Sequence, residues 1–143
     1  MLLVKTKLDV SSIDGIGLFA DQFISAGTVV WEFNQLIDLR FRDGDIAGLA
    51  ESAQEQIRKY SYREASSGLY VLCGDDARFF NHSETPNCID IMNAGLSDVT
   101  RSIVDIRPGE ELTCNYALFD LDFIEGRYQM PLKTAEIQTE IPR

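Results

Sequence analysis

At 143 residues the chain has room for one domain with a real core and too little for two ordinary ones. It carries 13 basic and 23 acidic residues, a formal net charge of -10; such a surface repels phosphate backbones and favours cationic partners, so no direct nucleic-acid ligand is expected. Cys73, Cys88 and Cys114 are odd in number, widely spaced and never in a Cys-x-x-Cys pair, which argues against a disulfide framework and for a reducing compartment.

The opening MLLVKTKLDV is too short and too charged for a signal peptide, and no apolar run reaches membrane-spanning length. An intracellular protein without a membrane anchor is therefore expected. In chain order, short runs rich in Val, Ile, Thr, Tyr and Phe read as strands: LLVKTKLDV, GLFA, TVVWEFN, LYVLC, CIDIM, VTRSIVDI and ELTCNY. The turns between them carry DG, AG, NAG and RPGEE. One segment has another period. From Asp45 to Tyr60, Ile46, Leu49, Ala53, Ile57 and Tyr60 recur at three- and four-residue spacing, which predicts an amphipathic helix whose stripe packs on the core. Asp43 or Asp45 would cap its start, and Arg58 and Lys59 suit its last turn. After Arg127 the stretch YQMPLKTAEIQTEIPR is weakly patterned. The class is mostly β with one inserted helix.

Three stretches are candidates for chemistry. In DGIGLFA, Gly15 and Gly17 allow a sharp turn and a close approach, but the dinucleotide pattern lacks its third glycine, and a plain hairpin turn is the ordinary reading. RFFNHSETPNC holds His82, the only histidine. With no second histidine and no spaced thiolates there is no metal site, and without Gly-x-Ser-x-Gly there is no hydrolase elbow. Taken singly, His82 reads as a hydrogen-bonded structural imidazole and Asn81 as a group that pins a loop or reads a polar ligand. GEELTCNY reads as a turn and a strand ending at Tyr116, with Glu110 and Glu111 as a solvated pair.

The order of these stretches is more telling than any one of them. Gly15-x-Gly17, then Arg78, Phe79, Asn81, His82, Ser83, Pro86 and Asn87, then Glu111, Leu112 and Tyr116 resemble the SET-domain family of protein lysine methyltransferases over roughly residues 3 to 120. The resemblance implies a SET-type (β-clip) fold of several short sheets with a knot-like C-terminal crossing, covering residues 1–126 with the helical insert at about 45–60, and a flanking tail at 127–143. It implies S-adenosylmethionine as cofactor, held by Gly15, Ile16, Gly17, Arg78, Asn81, His82, Tyr116 and Phe119, with Tyr116 catalytic. The substrate would be a lysine in a basic protein, entering a channel with Tyr70 and Cys114 in its walls. A non-catalytic module that binds basic peptides, and a methyltransferase acting on a small amine, are rival expectations.

The chain departs from the family pattern in places. Many relatives follow the tyrosine with a cysteine-rich, zinc-binding segment that closes the cofactor site; here no cysteine follows Cys114, and Phe119 and Phe123 in ALFDLDF are the aromatics expected to cap the adenine. The variable position in NHSETPN lacks the cysteine of many members. Cys114 stands where relatives often carry Phe or Tyr, and its smaller side chain leaves room for multiple methylation. Asp90 falls where some relatives have a channel tyrosine. Either it faces the channel and meets the incoming ammonium, or strand alternation turns it to solvent with Ile89 and Ile91 inward.

Overall fold

The computed structural model describes residues 1–91 and 98–127; the NAG turn and the weakly patterned stretch after Arg127 lie outside them. Among the described residues ten short strands follow one another as β1 (Thr6–Val10), β2 (Ile16–Ala20), β3 (Val29–Glu32), β4 (Leu39–Phe41), β5 (Ser61–Arg63), β6 (Tyr70–Leu72), β7 (Asn81–His82), β8 (Cys88–Ile91), β9 (Val99–Ser102) and β10 (Thr113–Cys114). They form four small sheets: β1-β2, β3-β9-β8, β4-β6-β5 and β7-β10. All pairs are antiparallel except β7 with β10, where Asn81 lies opposite Thr113 and His82 opposite Cys114. This parallel pair, joining chain segments some thirty residues apart, marks the expected C-terminal crossing.

The predicted single helix is two. The first, α1, spans Asp43–Ala47 and the second, α2, Glu51–Tyr60. Gly48, a poor helix former, and Ala50 in an extended conformation break the run between them. Asp45 does not cap α1 from the N-cap position; it sits inside the helix and its Oδ2 accepts the Arg42 N–H at 3.1 Å. The stripe is divided as well. Ile46 is fully buried, Leu49 is exposed and α2 buries no residue completely. A third helix, α3 (Leu121–Ile124), is capped by Asp120, whose Oδ1 accepts the Asp122 N–H at 3.1 Å.

Alternation inside the strands decides which residues meet at the centre. Leu18, Ala20, Ile24, Val30, Cys88, Ile106, Leu112 and Cys114 are nearly or completely buried, and most of them pack as one cluster against Phe119. Burying such aliphatic side chains contributes about 1.5–3 kcal/mol each, which is what holds sheets this small together. The three thiols are free and buried, Cys88 and Cys114 in this cluster and Cys73 in a second one with Trp31 and Ala77.

Candidate functional site

The middle and last motifs meet on one carboxylate. Asn81 Nδ2 donates to Glu111 Oε1 at 2.8 Å and to the carbonyls of Asp14 and Ile16 at 3.1 and 3.3 Å. Ser11 Oγ lies 2.9 Å from each Glu111 oxygen. Asn87 completes the joint: its Nδ2 donates to the Glu111 carbonyl at 2.7 Å and its Oδ1 accepts the Thr113 N–H at 2.9 Å. Glu111 is thus the hub that fixes the glycine turn to the β7-β10 pair, not half of a solvated acidic turn. Gly17 is explained by the same hub, because a Cβ there would stand 2.2 Å from Glu111 Oε1. Gly15 takes the left-handed φ of +46° that the turn requires.

One step along β7, His82 is held by its own crossing. Its Nδ1 accepts the Tyr116 N–H at 3.1 Å, which puts the imidazole proton on Nε2. Burial lowers the pKa of His82, with Glu84 opposing, so the ring is neutral at physiological pH. Phe123 lies against it with ring centroids 4.7 Å apart, and Tyr116 follows at 5.4 Å. The result is a half-buried ledge of aromatic faces beside the exposed Ile16 turn.

Behind Tyr116 the chain encloses a narrow cavity of about 70 Å³. Tyr62, Phe80, Tyr116 and Phe119 line it with aromatic surface, and Tyr62 meets Phe119 edge-on at 5.2 Å. The Tyr116 hydroxyl donates to the Phe80 carbonyl, which fixes the ring at the boundary between ledge and cavity. Burial pushes the Tyr62 hydroxyl well above the ordinary tyrosine range. Cys114 and Asp90 line another part of the wall. Thr100 Oγ1 donates to Asp90 Oδ1, while Asp90 Oδ2 is buried and has no hydrogen-bond partner among the described residues. Burial raises Asp90 to about 6, opposed by the Thr100 hydroxyl and the Cys114 thiol.

Residues 15–117 match the SET domain. The chain belongs to the SET-domain family. It is 27% identical over 136 residues to Homo sapiens histone-lysine N-methyltransferase 2D, a match spanning 85% of this chain and 2% of that protein. It is 32% identical over 115 residues to the Aspergillus oryzae histone-lysine N-methyltransferase, H3 lysine-4 specific, spanning 74% of this chain and 9% of that one. The chain therefore covers a small part of the length of the curated relatives it matches. Among solved structures it is similar in fold to Chaetomium thermophilum Polycomb Repressive Complex 2 in an autoinhibited conformation bound to S-adenosylmethionine. The TM-score there is 0.63 at 23% identity, over 87% of this chain and 16% of that one.

Within the SET domain, Tyr70 lies away from the cavity and Phe119 away from the ledge. Tyr70 does not line the cavity. Its hydroxyl donates to Asp122 Oδ2 at 3.0 Å and accepts from Arg58 Nη1 at 3.1 Å, in a separate cleft beside α2 and α3. The reason is strand parity. Tyr70 pairs with Arg63 and Val71 with Tyr62, so Tyr62 projects to the cavity side and Tyr70 to the other. Phe119 is buried in the core and lines the inner cavity, whereas Phe123 takes the half-buried place against His82. Arg78 lines the cavity, with its guanidinium 5.8 Å from the Tyr60 ring centroid.

Asp90 lines the cavity and does not point to solvent, so the face carrying Cys88 and Asp90 is the inward one, not that of Ile89 and Ile91. Asp90 pairs with the buried Thr100, and Cys88 with the buried Ser102, while Ile89 opposes the exposed Arg101. Tyr62 and Phe80 gave no usable signal in the sequence, since β5 is a three-residue strand and Phe80 sits between a 3₁₀ turn and β7.

The groups present fit S-adenosylmethionine. The Phe123 and His82 faces suit a planar base, the His82 Nε2–H and the Asn81 Oδ1 have no partner among the described residues, and the ledge meets Tyr116 at the cavity boundary.

Proposed function

We propose that the chain is a protein-lysine N-methyltransferase that uses S-adenosylmethionine, acting on a basic protein inside the cell. The observation that carries this reading is the position of Tyr116, which lines the narrow cavity and also contacts His82 and Phe123 on the ledge. One ligand on each side would meet there. The ledge, with Asn81, His82, Phe123 and the turn at residues 14–17, would hold the cofactor; the cavity would take a slim unbranched side chain.

S-adenosylmethionine, bound on the ledge, supplies a methyl on a positively charged sulfur, open to in-line displacement. The chain's own residues align the nucleophile and exclude water. Lysine has a pKa near 10.4, and an aromatic, desolvated cavity favours the neutral amine that attack requires. Tyr116 is the catalytic residue in this account, with its ring oriented by the Phe80 carbonyl. The histone-lysine methyltransferase relatives and the -10 charge support a basic protein as substrate and a nuclear or cytoplasmic setting. Among the described residues no helix is long and apolar enough to cross a membrane.

The test is incubation with methyl-labelled S-adenosylmethionine and a panel of basic proteins that includes histone H3. Label on lysine is expected. Binding of the cofactor without transfer to any protein would leave a non-catalytic module instead.

A further inference from the structure

The cavity behind Tyr116 is apolar in its walls but not throughout. Four of its lining side chains carry a buried polar atom with no hydrogen-bond partner among the described residues: Trp31 Nε1, Ser61 Oγ, Asp90 Oδ2 and Asp120 Oδ2. A buried polar atom without a partner is unfavourable, so four of them around one cavity point to a ligand or to water held there. A cavity meant only for aliphatic carbon would not need it.

The two carboxylates differ in what else they do. Asp120 caps α3 and accepts the N–H groups of Arg63 and Asp122 through Oδ1. Asp90 has no such backbone duty. Its Oδ1 accepts from the Thr100 hydroxyl, the Cys114 thiol lies beside the same carboxylate, and its strand neighbour across the interior is β10, which carries Cys114 and leads directly to Tyr116. We propose that Asp90 receives the ammonium of the substrate lysine in this cavity and takes its proton, a role that rests on the lysine-methyltransferase reading above.

The step balances simply. The N–H bond breaks, its electron pair stays on nitrogen, and the proton bonds to Asp90 Oδ2; it leaves later to water. Outside the cavity a carboxylate would stabilise the ammonium and oppose this transfer. Inside, desolvation lowers the amine's proton affinity and raises that of the carboxylate, so the neutral pair gains on the ion pair. The raised pKa of Asp90, about 6, agrees with that direction. Among the other titratable groups around it, one carboxylate has a similar proton affinity. Burial raises the thiols of Cys73, Cys88 and Cys114 and the Tyr62 hydroxyl, while the Lys59 and Arg78 side chains line the same cavity. Asp120, also raised to about 6, is the second carboxylate in the cavity.

The probe is n-butylammonium, a lysine side chain without its peptide, titrated into the folded full chain and followed by amide chemical shifts without cofactor. The wild type should bind n-butylammonium at least about tenfold more tightly than n-butyltrimethylammonium, which has no N–H to donate, and lose that preference as pH falls through about 6. Asp90→Asn should lose the preference and its pH dependence while binding 1-butanol as the wild type does. Thr100→Val removes the hydroxyl that favours ionised Asp90, and it should move the pH midpoint upward even if Asp90→Asn does not fold. Retained ammonium preference in Asp90→Asn, an unmoved midpoint in Thr100→Val, or no saturable binding of n-butylammonium to the wild type overturns the proposal. Ammonium preference with no methyl transfer to any protein would instead remove the enzymatic reading and leave the binding role intact.

Discussion

The two sides of Tyr116 are built differently. The ledge is assembled by hydrogen bonds among neighbouring motif residues, with Glu111, Asn81 and Asn87 tying a turn to a parallel strand pair. The cavity is assembled from scattered positions, single residues of β3, β8, β9 and β10, Ser61 and Tyr62 of β5, and the segment before β7. A ledge of that kind fails when one hub group is lost. A cavity of that kind tolerates change at most walls and is sensitive where a charge is buried. The contrast teaches that the same residue, Tyr116, is fixed by its backbone to one side, through His82, and by its hydroxyl to the other, through Phe80.

The largest effect should come from removing the hydroxyl at the boundary. Tyr116→Phe is expected to lower kcat at least about tenfold with cofactor affinity nearly unchanged, because a group that acts mainly in the transition state affects rate more than binding. Steady-state kinetics beside calorimetry check this; unchanged turnover would end the catalytic assignment.

Next comes the hub. Asn81→Ala should weaken S-adenosylmethionine binding by about 1–3 kcal/mol, through loss of the bonds that hold the Asp14–Ile16 turn. Gly17→Ala should displace the Glu111 carboxylate, and so should cost little more in a Glu111→Ala background than Glu111→Ala costs alone. Additive losses in urea denaturation would mean that the glycine serves something other than the hub.

A smaller change in the opposite direction is expected in the cavity. Asp90 has a folded pKa of about 6 against an ordinary 3.8, so its favourable contribution is complete below about pH 3.8 and is lost as pH rises through about 6. At pH 7.5 the buried charge costs the fold at most about 3 kcal/mol, at 1.36 kcal/mol per unit. Asp90→Asn should therefore stabilise the protein at pH 7.5 and change little at pH 4, as read by urea denaturation at both values. Equal effects at the two would show that the carboxylate is not desolvated. The smallest effect is that of salt. If the -10 charge steers a basic substrate, rising ionic strength should raise the substrate KM modestly and the cofactor KM less.

The same contrast explains what could be read from the residues alone. Asn81, His82 and Tyr116 stand in contiguous motifs, so the ledge was legible, as were most of the strands. Glu111 was legible as a motif residue but not as a hub, since nothing in EELTCNY says that Asn81 lies 2.8 Å from it. The cavity was harder. Ile89 and Ile91 are the more apolar pair in CIDIM, yet the face carrying Cys88 and Asp90 is the one covered, because the opposing Ser102 and Thr100 are buried there. Tyr70 and Tyr62 are both strand tyrosines, and only the pairing of Tyr62 with Val71 tells which one faces the cavity. The period of the helical stripe is visible in the residues, but its break, where Gly48 and Ala50 interrupt it, is not.

The claim that two ligands meet at Tyr116 is tested most directly by titrating one isotopically labelled sample separately with S-adenosylmethionine and with n-butylammonium, and mapping the amides that shift. The account predicts two largely separate sets. The cofactor should move residues 14–17, His82, Ser83 and Phe123; the amine should move Tyr62, Asp90 and Cys114; Tyr116 should respond to both. A single shared set, or a cofactor footprint on the cavity residues that spares His82 and Phe123, would contradict it.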